Sequence, residues 1–110
     1  MSKTLAIFNG MNTFDQIYKV VSTIPRGKVT TYGEISNYLK LANPRIVGYA
    51  LHVNGDPDNV PCHRVVNKKG ELAPGYAFGG PNIQKKLLEI EGIEIQNNKI
   101  DLSKYLYKLS

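Results

Sequence analysis

The chain has 110 residues, of which 42% are hydrophobic and 21% are charged, and its formal net charge is +5. We expect a single domain over residues 1–110, because a chain of this length can bury one hydrophobic core, and the ordinary charged fraction argues against disorder. One cysteine excludes an internal disulfide and a thiolate-rich zinc site, and no apolar run is long enough to span a bilayer. We therefore expect a cytoplasmic protein, whose positive charge fits a polyanionic partner without requiring one.

A first helix is predicted to begin at Thr13, because Thr13 and Gln16 have the spacing of a capping box. Before it, residues 1–11 contain a short apolar run and an Asn-Gly turn, which predict a short arm. Pro25 ends the helix. The apolar residues at helical spacing are Phe14, Ile17, Val21 and Ile24.

Two more helices are predicted in close succession. Thr31 and Glu34 form another capping box, which opens a helix over residues 32–40. The next helix covers residues 45–53. Its signals are Asn43 as N-cap, Pro44 at the first helical position and an αL stop at Asn54-Gly55. This pattern is typical of a helix-turn-helix and equally of an ordinary corner between two helices.

The stretch VPCHRVV at residues 60–66 contains the single cysteine, Cys62, followed directly by His63. A thiol beside an imidazole, fixed between a proline and two β-branched residues, indicates a nucleophile in a rigid site. Taken alone, a single cysteine is more typical of an inert buried side chain. Neighbouring residues of an extended segment point to opposite faces, so we expect a bridging water rather than a direct contact between the two.

The sequence GYAFGG at residues 75–80 combines glycines with two aromatic rings. This composition fits a wall over a flat ligand, and also a plain surface loop; it lacks the lysine of a phosphate-binding loop. Pro81 begins a last clear helix, which Gly92 ends. The remaining predicted features are a short strand at residues 93–95, a turn at Asn97-Asn98 and a docked tail at residues 102–109.

Together these motifs resemble the O6-alkylguanine-DNA alkyltransferases, also called methylated-DNA–protein-cysteine methyltransferases. The matching segments are residues 31–34 (start of the first helix-turn-helix helix), 45–54 (recognition helix), 61–66 (active-site motif), 75–79 (substrate loop) and 87–92 (helix with the family glutamate). The matches run in order from about residue 12 to residue 92. The resemblance implies a mainly α fold: a small winged-helix-like domain in which the active-site segment follows the recognition helix, with little or no sheet.

The resemblance also implies direct-reversal DNA repair, in which Cys62 irreversibly takes the alkyl group from guanine O6 in a single turnover. His63 would act as the base through a water, and Glu91 would orient it. Tyr32 would donate a proton to the leaving guanine. Asn54 would pin the turn between the recognition helix and the active site.

For substrate binding, the resemblance implies that the Val65 carbonyl and the Ala77 N–H hold the guanine, while Pro57 and Tyr76 form pocket walls. No metal and no cofactor are expected. The expected partner is double-stranded DNA containing O6-alkylguanine, and the protein is expected to be a monomer that binds no membrane.

The resemblance places the DNA contact in the minor groove, with the damaged nucleotide flipped out. Arg45 would enter the base stack in its place. Gly48 permits close approach, whereas Ile46 and Tyr49 are bulkier than the family's usual residues. Candidate phosphate contacts are Lys28, Lys40, Lys68 and Lys69.

In its short length the chain also resembles the alkyltransferase-like proteins, which recognise alkylated guanine without repairing it and recruit other repair factors. Those proteins typically have tryptophan or another residue where this chain has Cys62. No separate N-terminal domain is expected. A transcription factor built on the helix-turn-helix would leave the cysteine stretch without a purpose.

Overall fold

The computed structural model describes residues 12–73 and 78–109. In these segments short strand pairs accompany a mainly helical fold, as predicted. The elements are α1 (Thr13–Ser22), β1 (Thr30–Thr31), α2 (Tyr32–Leu39), α3 (Arg45–His52), a 3₁₀ turn (Cys62–Arg64), β2 (Val65–Val66), α4 (Gly80–Ile90), β3 (Ile95–Gln96), β4 (Lys99–Ile100) and α5 (Leu102–Tyr105). The predicted arm at residues 1–11 lies outside the described residues.

The starts of α1 and α2 show how local side chains fix helix boundaries. Thr31 caps α2 as predicted, because its hydroxyl accepts a hydrogen bond from the Glu34 N–H at 3.0 Å. The predicted Thr13 cap of α1 is wrong by one residue. Asn12 takes that position, and its Oδ1 accepts from the Asp15 N–H at 2.8 Å.

Both ends of α3 differ from the prediction. Pro44, rather than Asn43, occupies the N-cap position, although the Asn43 side chain still accepts a hydrogen bond from the Arg45 N–H at 2.8 Å. The predicted αL stop at Asn54-Gly55 is wrong, because neither residue has a positive φ. Asn54 is instead committed to side-chain hydrogen bonds that turn the chain without an αL residue.

Helix α3 packs against both α1 and α2, as a helix-turn-helix and an ordinary corner between two helices both require. The three helices share one hydrophobic core with the residues around the cysteine. Fully buried members of this core include Ile17, Val21, Ile35, Val47 and Val65. Burial of these side chains is the main favourable contribution to the free energy of folding.

A short parallel pairing joins the helical layer to the cysteine segment. Thr30 pairs with Val65 and Thr31 with Val66, so the start of α2 lies beside the residues that follow the 3₁₀ turn. A second core forms on the other side of this pairing around Val29, Val66, Leu88, Ile93 and Ile100. The pairing therefore connects the two cores and brings Tyr32 towards the cysteine.

The C-terminal wing is an antiparallel hairpin of β3 and β4. Asn97 and Asn98 form its turn, as predicted, with φ values of 54° and 58° that asparagine tolerates better than most residues. The strand predicted at residues 93–95 is formed by Ile95–Gln96 instead.

The cysteine segment is not extended as predicted. The Arg64 N–H donates to the Pro61 carbonyl at 2.9 Å, which closes the 3₁₀ turn over Cys62–Arg64. With about three residues per turn, successive side chains point roughly 120° apart rather than to opposite faces. The side chains of Cys62 and His63 therefore do not alternate between opposite faces, as they would in an extended segment. None of the helices in the described ranges has the length and apolar character needed to cross a membrane.

Candidate active site

The carboxylate of Glu91 is bound by groups from two distant parts of the chain. Its Oε2 lies 2.6 Å from His63 Nε2 and 2.9 Å from Arg64 Nη2. Its Oε1 accepts from the Gly27 N–H and from Arg64 Nε, each at 3.0 Å. Glu91 follows the last residue of α4, and its side chain is only 4% exposed. A buried carboxylate with this set of donors is held in one orientation.

The protonation state of Glu91 determines the state of its histidine partner. Burial alone would raise the pKa of Glu91, but hydrogen bonds from Arg64, Gly27 and His63 outweigh burial and hold it below its ordinary value of 4.5. Glu91 is therefore an anion at neutral pH and can only accept hydrogen bonds. It follows that His63 carries a proton on Nε2 in this pair, which leaves Nδ1 as the acceptor nitrogen of the neutral ring.

Arg64 is a part of this site to which the sequence reasoning assigned no role. Besides its bonds to Glu91, its Nη1 donates to the Ile24 carbonyl at 2.9 Å. The side chain is 17% exposed, so the guanidinium joins the loop after α1 to the end of α4 largely out of solvent. The available signal in the sequence was a positively charged residue within the otherwise largely apolar stretch VPCHRVV.

Cys62 begins the 3₁₀ turn, is 5% exposed and belongs to the helical core. Burial raises the pKa of Tyr32 above its ordinary value of 10.0, and the nearby Cys62, when it is ionised, acts in the same direction. Burial, then Asp15, then Cys62 raise the pKa of Tyr18 in the same direction. Both phenols keep their protons at neutral pH. Tyr32, the first residue of α2, is thus a protonated phenol that can donate a hydrogen bond near Cys62.

Asn54 shapes the loop that leads from α3 to the cysteine. Its side chain is buried, and its Nδ2 donates to the Val60 carbonyl at 3.0 Å. Its Oδ1 accepts from the Asp56 N–H at 2.9 Å. The half-buried Pro57 lies on the same loop. A single amide side chain therefore ties the end of the recognition helix to the residue two positions before Cys62.

Gln84 of α4 is a second residue that the sequence reasoning missed. It is fully buried, and its Nε2 donates to the carbonyls of His63 and Val65, each at 3.1 Å. Its Oε1 accepts from the Ala73 N–H at 2.8 Å. The available signal was its position four residues before the buried Leu88, which places a polar residue on the buried face of α4. Gln84 fixes the backbone on both sides of Arg64.

A groove of about 540 Å³ runs between the starts of α2 and α3 and the turn at residues 67–70. Its lining includes Tyr32, Arg45 and Gly48, and we call it the recognition groove. Arg45 is exposed at the first position of α3. No atom lies within 4 Å of the position that a Cβ on Gly48 would occupy, so the helix backbone is open to a ligand there.

The two bulky residues of α3 have different surroundings. Ile46 is half-buried and packs against the helical core. Tyr49 is 62% exposed, and its ring centre lies 5.7 Å from that of Phe14. Tyr49 therefore lies largely exposed on the surface of α3.

The structure thus places Tyr32 near enough to Cys62 for an electrostatic effect, and it joins His63, the residue after Cys62, to Glu91. The predicted substrate residues Tyr76 and Ala77 lie outside the described residues. In the described segments, no set of three or more histidine, cysteine, aspartate or glutamate side chains is arranged to hold a metal ion.

These features define a helix-turn-helix domain whose second helix leads directly into a buried thiol site. Residues 12–93 match the sequence profile of the family described as 6-O-methylguanine DNA methyltransferase, DNA binding domain. The chain belongs to this family of O6-alkylguanine DNA repair proteins, which confirms the resemblance found in its motifs.

Individual relatives fall into two groups. Alkyltransferase-like protein 1 of Schizosaccharomyces pombe is 37% identical over 101 residues, which cover 86% of this chain and 94% of that protein. A methylated-DNA–protein-cysteine methyltransferase of Thermococcus kodakarensis is 40% identical over 89 residues, covering 79% of this chain and 49% of the enzyme. The chain spans about half the length of several curated methyltransferases that it matches.

Solved structures give the same fold. The crystal structure of S. pombe Atl1 in complex with damaged DNA containing O6-carboxymethylguanine has a TM-score of 0.78 at 36% identity, covering 87% of this chain and 94% of that one.

Proposed function

We propose that this protein repairs DNA by transferring an alkyl group from guanine O6 to the sulfur of Cys62. The observation that carries the proposal is the part-buried His63–Glu91 pair, 2.6 Å apart, in which His63 directly follows the buried Cys62. A thiol needs a base to become a competent nucleophile, and this pair provides a base together with the group that orients it. An inert buried cysteine needs neither.

The reaction is a displacement at the saturated alkyl carbon. The sulfur of Cys62 forms the new carbon–sulfur bond while the carbon–O6 bond breaks. The thiol proton passes through a water to Nδ1 of His63, and Glu91 stabilises the resulting imidazolium. The leaving guanine takes a proton from the Tyr32 hydroxyl, which regains one from solvent. Because the chain has no second cysteine to reverse the thioether, each molecule acts once.

The DNA substrate is a duplex approached from the minor groove. A guanine within the stack cannot reach a buried thiol, so the nucleotide is flipped out. Arg45, exposed at the edge of the recognition groove, fills the vacated position, and the open backbone at Gly48 allows the sugar-phosphate chain to come close. Ile46 and Tyr49 border this contact. The DNA complex of the S. pombe relative supports this choice of partner.

The flipped guanine is held between Pro57 and Tyr76, with the Ala77 N–H and the Val65 carbonyl as its polar partners. The Val65 carbonyl already accepts from Gln84. A carbonyl oxygen has two lone pairs, so it can accept a second hydrogen bond from the exocyclic amine of guanine. Asn54 keeps the loop before Cys62 in the conformation that this pocket needs.

A second candidate is a sensor that binds alkylated guanine and recruits other repair factors. The observation in its favour is the likeness to the S. pombe alkyltransferase-like protein, which is 37% identical over 101 residues and is matched over 94% of its length. Against it stands Cys62, since the resemblance describes that class as typically lacking this cysteine. The two functions differ in one product, a thioether on the protein.

One experiment separates the two functions. The wild-type protein and Cys62→Ala are incubated with a duplex containing O6-methylguanine, and intact mass and duplex affinity are both measured. The repair function predicts a gain of one methyl group by the wild-type protein alone, with binding by both proteins. Tight binding of the wild-type protein without any mass change would leave the sensor function.

A further inference from the structure

A second cavity, of about 610 Å³, lies between the turn at residues 67–70 and the C-terminal wing. We call it the basic cavity. Its charged lining consists of Lys68, Lys69, Lys99, Lys104, Glu94 and Asp101. Lys68 and Lys69 also line the recognition groove, so the two sites adjoin and share one turn as a common wall. Four cations against two anions favour an anionic ligand.

The acidic residues of the basic cavity accept hydrogen bonds from their sequence neighbours, and Asp101 also interacts electrostatically with Lys104. Asp101 accepts from the N–H and hydroxyl of Ser103 at 3.0 and 2.5 Å, which caps α5. Glu94 accepts from the Gln96 side chain at 2.8 Å. Among the described residues, Glu91 is the acid in both ion pairs formed within 4.0 Å, and it lies outside this cavity. Lys68, Lys69 and Lys99 form no ion pair with another described residue, whereas Lys104 interacts with Asp101 and lies 5.3 Å from the centre of the Tyr105 ring.

The backbone that carries these lysines is rigid. Gly70 has a φ of +79°, and a Cβ at that position would clash with the Ile100 carbonyl oxygen. The Ile100 N–H donates to the Gly70 carbonyl at 2.9 Å, so the turn is bonded directly to β4. Within the turn, the Asn67 side chain accepts from the Lys69 N–H at 2.9 Å. A fixed spacing between turn and hairpin reduces the entropy that an anion must overcome to bind.

We propose that the basic cavity binds a backbone phosphate of the duplex held in the recognition groove, so that the wing extends the protein's footprint along the DNA. This inference rests on the DNA binding in the proposed function, but not on alkyl transfer. Lys68 and Lys69 line both sites. We therefore favour a phosphate of the DNA strand that lies in the groove as the ligand, rather than a separate small molecule. Such a contact positions the protein on the duplex without reading its sequence.

The test compares two double variants that each remove two positive charges. The first, Lys99→Gln with Lys104→Gln, is called the wing variant and removes one lysine of β4 and one of α5. The second, Lys19→Gln with Lys86→Gln, removes exposed lysines of α1 and α4 that line neither site. Affinity for an undamaged duplex is measured by fluorescence anisotropy across a salt series, so that no transfer intervenes. The duplex is also shortened stepwise at each end.

For the wing variant we expect duplex affinity to fall about tenfold at low salt and the slope of log K against log salt to flatten by about 0.9, the loss of one phosphate contact. The Lys19/Lys86 control should keep a slope close to that of the wild-type protein. Once the duplex is too short to reach the basic cavity, the wing variant and the control should bind equally. Reaction of Cys62 with free O6-benzylguanine should be the same in all three proteins.

Equal slopes and affinities for the two double variants on the long duplex would overturn the phosphate site, and so would a difference that persists on every short duplex. Inorganic phosphate that shifts the amide signals of Lys99 and Gln96, with duplex binding unchanged in the wing variant, would assign the cavity to a small phosphate instead. A wild-type protein that binds no duplex contradicts both proposals. One that binds duplex but fails to react with O6-benzylguanine contradicts the transfer alone.

Discussion

Glu91 and His63 are joined by a 2.6 Å contact between Oε2 and Nε2, and the same carboxylate is paired with Arg64. The two residues are 28 positions apart and belong to different elements, the end of α4 and the 3₁₀ turn. Because the arginine and the Gly27 N–H keep Glu91 anionic, the histidine proton is fixed on Nε2. The base nitrogen in the proposed reaction is then Nδ1, the one that does not face the carboxylate.

Glu91→Gln tests this assignment. A glutamine amide has no charge and can present its NH₂ to Nε2, which would place the histidine proton on Nδ1. We expect alkyl transfer to slow by about 100-fold or more, in the range of a lost general base. The measurement is the single-turnover rate with a duplex containing O6-methylguanine. Glu89→Gln, an equal charge change on the exposed side of α4, should retain the wild-type rate.

The wild-type protein and Glu91→Gln should also differ in how their stability depends on pH. The pKa of Glu91 is lower in the folded than in the unfolded chain, so its stabilising contribution is present above 4.5 and is lost as pH falls through the folded-state value. The free energy of unfolding of the wild-type protein should therefore exceed that of Glu91→Gln above about pH 5, and this margin should shrink as the pH falls below about 5. Urea unfolding at a series of pH values measures this margin. A margin that grows as the pH falls below about 5 would contradict a lowered pKa for Glu91.

Arg45→Ala should separate DNA binding from chemistry. Arg45 is exposed in the recognition groove and has no part in the Glu91 network. We expect the rate of reaction with the duplex substrate to fall about tenfold, as for the loss of a contact of roughly 1–3 kcal/mol. The rate of reaction with free O6-benzylguanine should change little. Lys19→Ala serves as the control for charge alone. Equal losses with both substrates would count against a role for Arg45 in the base stack.

Gln84→Leu should destabilise the fold around the site. Leucine is similar in size, but it leaves the His63 and Val65 carbonyls and the Ala73 N–H without the partner they have now. The expected cost is about 2–4 kcal/mol in the free energy of unfolding, measured with urea. Gln96→Leu, on the exposed hairpin, should change the free energy by less than about 0.5 kcal/mol. A Gln84 variant as stable as this control would mean that those three groups find other partners.

Sequence reasoning succeeded where the signal was local. The cap formed by Thr31 and Glu34 lies within four residues, and so does the Asn97-Asn98 turn. At α1 the local signal was ambiguous, because Asn12 and Thr13 are both good caps and nothing nearby decides between them.

The rest of the site depends on contacts that no periodicity reveals. Gly27 is 64 residues from Glu91, and this hydrogen bond exists only because the fold places the loop after α1 beside the end of α4. The αL stop at Asn54 was wrong for a related reason, since the buried amide bonds to Val60 and makes the turn by its side chain. Family resemblance named Glu91 correctly as the partner of His63, whereas Arg64 and Gln84 became visible only in three dimensions.

The central claim is that Cys62 accepts one alkyl group from O6-alkylguanine in DNA. Its most direct measurement is peptide mass mapping after incubation with an excess of duplex containing O6-methylguanine, together with the number of methyl groups transferred per chain. Transfer to Cys62 predicts a methyl group on the peptide that contains this residue, and a yield that stops at one per chain however much substrate is present. An unmodified Cys62 peptide in protein that has bound the duplex would contradict it.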